Sequence, residues 1–344
     1  MKPLEMLVMS LSGRCNLACE YCYAANAEPM DMTWDTARKA IDIAAASGER
    51  FILQITGGEP LLHFPLLRSI YDWVGENKLP ACMQIQTNGT LINDEIAAFL
   101  QASKIAVGVS LDGRFSTGDR HRRYPNGGGA SSDAAAGIQR LAACGVEIGI
   151  TYVVTAENVD EVPGIVEMAY YLGNVRQIGF DLLRGQGRGR GLNAASSEAV
   201  ARAMEEAFAR ADAFEAATGR RILFAQTEQA RALASREGAG FSHCHAMNGT
   251  GAYVDATGRF FVCPSLAGDE AFLIGDVEHG IDEQKQCKVA GLIYESMRHC
   301  RGCRDFRRCG GACFARWYGG ERHGARAEEC ALKRAAIARA CHHG

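Results

Sequence analysis

The chain has 344 residues and a net charge of −3, so nothing in its charge points to nucleic acid or to an anionic membrane surface. No run approaches the roughly 18 apolar residues needed to span a bilayer, and the first ten residues carry no signal peptide. Fourteen cysteines without a secretion signal point to metal ligation in a reducing cytoplasm rather than to disulfides.

Short apolar runs rich in Ile, Val or Phe alternate with amphipathic stretches. Strands are expected at Met6–Ser10, Phe51–Thr56, Met83–Thr87, Ala106–Ser110, Glu147–Val154 and Gln177–Leu182. Helices are expected at Thr33–Ser47, Phe64–Asn77, Asp94–Gln101, Asp133–Ala143 and Val159–Leu172, with Thr33 and Ser131 or Ser132 as N-caps. Six β-then-α units imply an α/β fold with a parallel sheet and helices outside it. Six fall short of the eight of a closed barrel, so the expectation is a partial (β/α)6, TIM-like barrel. The stretch Arg184–Gly191, alternating Gly with Arg and Gln, reads as a solvated linker that ends the barrel over residues 1–190. Residues 191–240 read as a helical bridge rich in Ala, Glu and Arg. From about 241 to 344 the composition turns to Cys, Gly and aromatics, which marks a second domain.

Directly after the first strand stands Cys15-x3-Cys19-x2-Cys22. It offers three thiolates, where a structural zinc closes its shell with four ligands. Three cysteines on a four-iron cluster leave one iron open to a small ligand. This spacing resembles the radical S-adenosylmethionine (SAM) superfamily, and later segments repeat the resemblance in order. In that family the open iron chelates SAM, and reduction of the cluster releases a 5′-deoxyadenosyl radical. The resemblance implies that Tyr21, ahead of the last cysteine, lies near the adenine. After the second strand, Gly57-Gly58-Glu59-Pro60 resembles the motif that binds the amino group of SAM. Two glycines let backbone approach a ligand closely, and a Glu carboxylate accepts from an ammonium. After the third strand, Thr87-Asn88-Gly89 resembles a turn beside the nucleoside. After the fourth, Ser110 and Asp112 match positions that reach the ribose and methionine groups. An Arg in the following loop would pair with the SAM carboxylate, as its fork suits. Arg122 fits that place, with Arg123 as the alternative register. Thr155 and Asn158 after the fifth strand either line the pocket or cap the next helix.

The C-terminal cysteines are Cys244, Cys263, Cys300, Cys303, Cys309, Cys313 and Cys330. Their order resembles the SPASM domain, which carries two auxiliary 4Fe–4S clusters. The resemblance implies an outer cluster on Cys300, Cys303, Cys309 and Cys330 and an inner one on Cys244, Cys263 and Cys313. The inner set has only three cysteines, so it either keeps an open iron or takes a fourth ligand from Cys287 or His245. Cys82 and Cys144 read as core packing, and Cys341 as part of the tail.

SPASM relatives mostly modify peptides or proteins. The expected function is therefore a radical SAM peptide maturase that forms a thioether or carbon–carbon crosslink, or a related oxidation, in a ribosomally made peptide. The expected cofactors are SAM and three 4Fe–4S clusters, with a flavodoxin- or ferredoxin-type electron donor. Anaerobic sulfatase maturation to formylglycine is the alternative. In those enzymes an Asp follows the second SPASM cysteine as base, whereas Pro264 follows Cys263 here. A third reading is a non-catalytic cluster-binding scaffold. The first strand begins at about residue 6, which leaves no room for an N-terminal leader-binding winged helix. A leader would then need the cleft between the domains or a separate binding protein. No sequence feature singles out a catalytic base.

Overall fold

The computed structural model describes residues 2–235, 244–318 and 327–342, without the side chains of Trp317 and His342. Its barrel strands are β1 (Met6–Ser10), β2 (Phe51–Thr56), β3 (Ala81–Thr87), β4 (Ala106–Ser110), β5 (Ile148–Val154) and β6 (Val175–Leu182). All pair in parallel with their sequence neighbours. Consecutive order without a reversal is the mark of a barrel wall rather than of a doubly wound sheet.

The helices between them are α1 (Trp34–Ala45), α2 (Phe64–Glu76), α3 (Asp94–Ser103), α4 (Phe115–His121), α5 (Ser131–Ala143) and α6 (Val162–Leu172). Thr33 caps α1 as expected, accepting from the Thr36 N–H at 3.1 Å. The expected serine cap of α5 is corrected. Its N-cap position is Ala130, and the Ser131 N–H instead donates to Asp119 Oδ1 of α4 at 2.8 Å. α4 itself lies outside the expected elements, because its Phe-Ser-Thr-Gly-Asp-Arg-His sequence carries little apolar periodicity.

Strand alternation sorts the two faces of the wall. On β2, Phe51, Leu53 and Ile55 are buried under the helices. The other face of the wall is polar: Gln84 donates to Gln54 at 3.0 Å, and Gln86 donates to Ser110 at 3.1 Å.

Beyond β6 come α7 (Ser197–Thr218), the short parallel strand β7 (Leu223–Phe224) and α8 (Ala225–Ala234). The chain then passes a one-turn helix, α9 (His245–Asn248), and returns to the other edge of the sheet. There β8 (Gly251–Val254) pairs in parallel with β1. β9 (Arg259–Phe261), β10 (Leu273–Asp276) and β11 (Gly280–Ile281) follow as an antiparallel meander. The C-terminal cysteine region therefore continues the barrel sheet, in the order β11-β10-β9-β8-β1-β2-β3-β4-β5-β6-β7. It is completed by α10 (Glu283–Ser296), α11 (Arg298–Arg301), α12 (Phe306–Cys309), α13 (Phe314–Trp317) and α14 (Ala327–His342), the last packing on α7 and α8. Among the described residues no helix is long and apolar enough to cross a membrane.

Removing the external cap should loosen the α4–α5 unit without touching the strands. Asp119→Ala is expected to destabilise the protein by about 1 kcal/mol, read as a lower denaturant midpoint.

Candidate functional site

The expected site segments meet at the carboxyl ends of the strands, where an α/β wall presents its loops. The cysteine loop after β1 is seated on the end of β2. The Gly58 and Glu59 N–H groups donate to the Ser12 and Arg14 carbonyls at 2.7 and 2.9 Å. A Cβ on Gly58 would lie 2.0 Å from the Arg14 oxygen, and one on Gly57 (φ +142°) would lie 2.5 Å from the Ser12 oxygen. The glycines are thus required by the approach of the cysteine loop itself, not only by a ligand.

Glu59 lies behind this contact and is fully buried. Its carboxylate accepts from the Leu61 N–H at 3.0 Å, the Thr87 hydroxyl at 2.6 Å and the Asn88 N–H at 2.8 Å. Burial pushes its pKa up, against those three donors. Three donors engage three of the roughly four acceptor positions of the carboxylate, and Glu59 acts as the joint between the β2 and β3 ends.

Asn88 turns its amide the other way, donating to Asn16 Oδ1 at 2.8 Å and standing 3.9 Å from Cys15 Sγ. Thr87 also accepts from the Gly89 N–H at 3.0 Å. Ser110 accepts from Gln86 rather than reaching into the loop cluster.

Tyr21, Asp112 and Arg122 converge, all three buried. The Tyr21 hydroxyl donates to Asp112, Arg122 donates to the Tyr21 oxygen at 2.6 Å, and Asp112 Oδ1 takes the Val153 N–H at 3.0 Å. Of the two arginine registers, Arg122 is the one whose side chain reaches the cysteine loop. Arg123 donates to the Asp119 carbonyl at 2.9 Å. Thr155 and Asn158 make a local turn, with Asn158 accepting from the Thr155 N–H and donating to the Val153 carbonyl, each at 2.8 Å.

All fourteen cysteines are unpaired as thiols. Cys15, Cys19 and Cys22 act on one another electrostatically: burial raises the Cys15 thiol to about 11, and the neighbouring thiols add to the rise. Burial also raises Cys19, while Arg122 pulls it down. In the C-terminal region the same mutual influence links Cys244, Cys263 and Cys313. Burial raises Cys244 to about 12 and Cys263 to about 11. It links Cys300, Cys303, Cys309 and Cys330 as a separate group. Among the described residues, no three His, Cys, Asp or Glu side chains close on a single ion. The thiols are the donor type that cluster ligation asks for; Cys19 is buried, Cys15 exposed, and Cys22 and the seven C-terminal motif cysteines half-buried.

The two residues expected as fourth ligands for the inner group, His245 and Cys287, flank α9. His245 faces Glu5 Oε2 at 3.1 Å, and Cys287 is exposed on α10, in a small cavity with Lys2 and Tyr294.

Between the barrel mouth and the C-terminal region lies a cleft of about 610 Å³, lined by Tyr23, Arg190, Tyr253, Pro264, Asp269 and Tyr318 among others. A larger cavity of about 1170 Å³ opens at the opposite, amino-terminal ends of the strands. The motif residues converge on the carboxyl ends, so the smaller cleft is the one joined to the site.

The Arg184–Gly191 stretch corrects the expectation of a solvated linker. It folds back onto the cysteine loop. Arg188 Nε donates to the Cys19 carbonyl at 2.7 Å, and its N–H donates to the Cys22 carbonyl at 3.0 Å. At its start, Asp181 takes Arg184 on one side and Arg316 of α13 on the other. These contacts were not read from the sequence. The Gly/Arg alternation was visible, but its partners are more than a hundred residues away.

Residues 9–169 match the radical SAM superfamily. An uncharacterized protein of Methanocaldococcus jannaschii is 39% identical over 53% of this chain and 63% of its own length. A serine-type anaerobic sulfatase-maturating enzyme of Klebsiella aerogenes is 29% identical over 54% of this chain and 48% of its own. The chain therefore spans less than two thirds of the length of either relative. The structure of native anSMEcpe with bound AdoMet and the Cp18Cys peptide superposes with a TM-score of 0.81, at 19% identity, over 98% of both chains. Streptococcus suis SuiB bound to its precursor peptide SuiA gives 0.70 at 17% identity, over 95% of this chain and 76% of that one. Residues 9–169 form a radical SAM domain. The chain's architecture is a partial barrel with the C-terminal extension of the SPASM type. That domain implies SAM and a 4Fe–4S cluster as cofactors.

Two outcomes test this geometry. Gly58→Ala should unseat the cysteine loop and destabilise the protein by roughly 3 kcal/mol, read by thermal melting together with iron uptake. Burial pushes the Asp181 carboxyl up, but Arg184 and Arg316 outweigh it and hold the pKa at about 2. A depressed folded-state pKa stabilises above the unfolded value and loses that stabilisation as pH falls through the folded one. About 2 kcal/mol should therefore disappear between pH ~4 and pH ~2. Acid titration of Asp181→Asn should show that window flattened.

Proposed function

We propose that this protein is a radical SAM peptide maturase. It takes a hydrogen from a Cα or side-chain carbon of a ribosomally made peptide and leads the substrate to a thioether or carbon–carbon crosslink, or a related oxidation. The observation that carries this reading is the sorting of the motif cysteines into three separate neighbourhoods, with the cleft at the barrel mouth beside two of them. On this reading Cys15, Cys19 and Cys22 hold the SAM-binding 4Fe–4S cluster. Cys244, Cys263 and Cys313 hold an inner auxiliary cluster, and Cys300, Cys303, Cys309 and Cys330 an outer one. The clusters supply electron transfer and SAM cleavage.

The chain's own residues seat, orient and exclude water. Gly57, Gly58 and Glu59 fix the cysteine loop on β2. Tyr21, Asp112 and Arg122 form a buried polar wall that SAM contacts would rearrange or extend. Thr87, Asn88 and Ser110 keep the neighbouring strand ends in place. The cleft, lined by the phenols of Tyr23, Tyr253 and Tyr318 and by charged side chains such as Arg190 and Asp269, would hold a peptide segment away from solvent. An electron donor of the flavodoxin or ferredoxin type and a cytoplasmic setting complete the proposal. Leader recognition would fall to the cleft or to a separate protein.

The 29% identity to the serine-type anaerobic sulfatase-maturating enzyme of Klebsiella aerogenes supports a second reading, formylglycine formation on a sulfatase. Pro264 weighs against it, because proline has no proton-accepting side chain at the position after Cys263. A short Cys-rich reading frame beside the gene would favour the crosslinking reading, and a sulfatase gene the other.

The test is anaerobic iron reconstitution followed by dithionite and SAM. Formation of 5′-deoxyadenosine is expected, with about twelve irons per chain. Cys15→Ala, Cys19→Ala and Cys22→Ala should each abolish the product. Full iron loading with no 5′-deoxyadenosine would leave only a cluster-binding scaffold.

A further inference from the structure

The segment from Arg298 to Arg308 reads Arg-His-Cys-Arg-Gly-Cys-Arg-Asp-Phe-Arg-Arg. Five arginines stand there against one aspartate, in a chain whose net charge is −3. Arg298, Arg301, Arg304 and Arg307 recur at every third residue, and so do Cys300, Cys303, Phe306 and Cys309. The backbone follows the same period. The Cys300 N–H donates to the Met297 carbonyl at 2.9 Å, the Cys303 N–H to the Cys300 carbonyl at 3.0 Å, and the Phe306 N–H to the Cys303 carbonyl at 3.1 Å. Turns of three residues bring side chains at i and i+3 onto one side. One side is the half-buried row of cysteines with Phe306, and the other is the exposed row of arginines.

The fold engages the arginine row only lightly. The guanidiniums of Arg298 and Arg307 have no hydrogen bond or ion pair among the described residues. Arg304 Nε stands 3.8 Å from Asp305, and its side chain is 89% exposed. Asp305 is already taken by Arg334 at 2.8 Å. Arg301 pairs with Glu295 at 3.1 Å and lies over the Tyr294 ring, 4.6 Å from its centroid. A row of like charges repels itself, so the row gains the fold nothing.

An apolar spot adjoins the row. Leu292 and Tyr294 of α10 are 49% and 39% exposed, and Arg301 over the Tyr294 ring joins them to the arginines. Apolar and aromatic side chains edged by arginine are the composition of a protein-binding face.

We propose that this face docks a small acidic electron-carrier protein. This rests on the electron donor and the outer cysteine group proposed above. A carrier must bring its redox centre close to the group it serves, and the arginines lie on the outer side of the turns whose inner side holds Cys300, Cys303 and Cys309. Fixed positive charge steers an acidic partner onto such a surface, and electron-transfer encounters need only a small interface. The guanidiniums stay charged throughout the working pH range. One electron leaves the reduced carrier and enters at that cysteine group; no bond is made or broken. An acidic substrate peptide fits the row less well, because no member of the row lines the cleft at the barrel mouth.

The test is calorimetric titration of two acidic probes, a bacterial flavodoxin and a bacterial ferredoxin, into the reconstituted full-length protein. At least one should bind, with an affinity that falls roughly tenfold between about 50 and about 200 mM salt. Arg298→Gln, Arg304→Gln and Arg307→Gln combined should weaken binding by roughly tenfold and flatten its salt dependence. Lys78→Gln, Arg176→Gln and Arg202→Gln combined, which remove the same charge from other exposed positions, should leave binding as it is. Leu292→Ala should weaken binding and keep the salt dependence. With a reduced carrier as donor, 5′-deoxyadenosine formation should fall in the row variant, while formation driven by dithionite stays. Binding of neither carrier, or equal losses in the row and control variants, overturns the proposal. Tighter binding of a short single-stranded RNA, lost in the same row variant, overturns it as well. If the combined row variant fails to load iron, Arg304→Gln and Leu292→Ala decide it by the same criteria. A wild type that makes no 5′-deoxyadenosine with dithionite defeats the functional reading itself, and is a distinct result from lost carrier binding.

Discussion

The seating of the cysteine loop depends on one buried carboxylate. Glu59 has no contact with water, and its two oxygens accept from a backbone N–H on its own strand's exit, a hydroxyl at the end of β3 and the next backbone N–H after it. An unpaired carboxylate in that place would be strongly unfavourable. The three donors therefore have to arrive together, and with them the ends of β2 and β3. The backbone N–H groups of Gly58 and Glu59 then point at the cysteine loop and hold it by two short hydrogen bonds. Asn88, fixed by the same joint, reaches Asn16 and the edge of Cys15. A loop with three cysteines has no regular structure of its own, so its shape is borrowed from this joint.

A second constraint fixes the C-terminal cysteines relative to the first. β8 pairs with β1, the very strand that leads into the cysteine loop. Cys263 follows β9 one hairpin later, so it is tied through backbone hydrogen bonds to the same strand that leads into Cys15, Cys19 and Cys22. Tyr253 of β8 and Tyr23 of the cysteine loop both line the cleft that results. Relative motion of the two regions would break a ladder rather than bend a linker.

The strands were legible because each is a short apolar run bounded by polar turns, and their order follows once the β-then-α alternation is seen. β3 and β6 begin two residues earlier than their apolar runs, at Ala81 and Val175, since ladder pairing extends a strand past the residues that drive it. The motif positions were legible because chemistry needs particular residue types at strand ends. Their contacts were less so. Gly57 and Gly58 look the same in sequence whether a ligand or the protein's own backbone crowds them. Glu59 looks the same whether it faces a ligand or is buried by three donors. α4 escaped because Asp119 and the carbonyls of His121 and Arg123 do its work through tertiary contacts. His121 and Arg123 accept the Glu20 and Ala18 N–H groups. The pairing of β8 with β1 joins residues about 245 apart in the chain, and no local period reports it.

An alternating file of Arg184, Asp181, Arg316 and Glu329 follows the same logic at longer range. Each of these charges would be expensive to bury alone. In a row, each inner member has an opposite neighbour on both sides, so the file stays charged where water is scarce. That continuity is what keeps two guanidiniums inside the protein without being drawn off to solvent. It also makes the members interdependent: neutralising Asp181 leaves two cations facing each other, and neutralising Arg316 leaves Asp181 and Glu329 each short of a partner. A file of this kind couples barrel strand β6 to helix α14 by electrostatics alone.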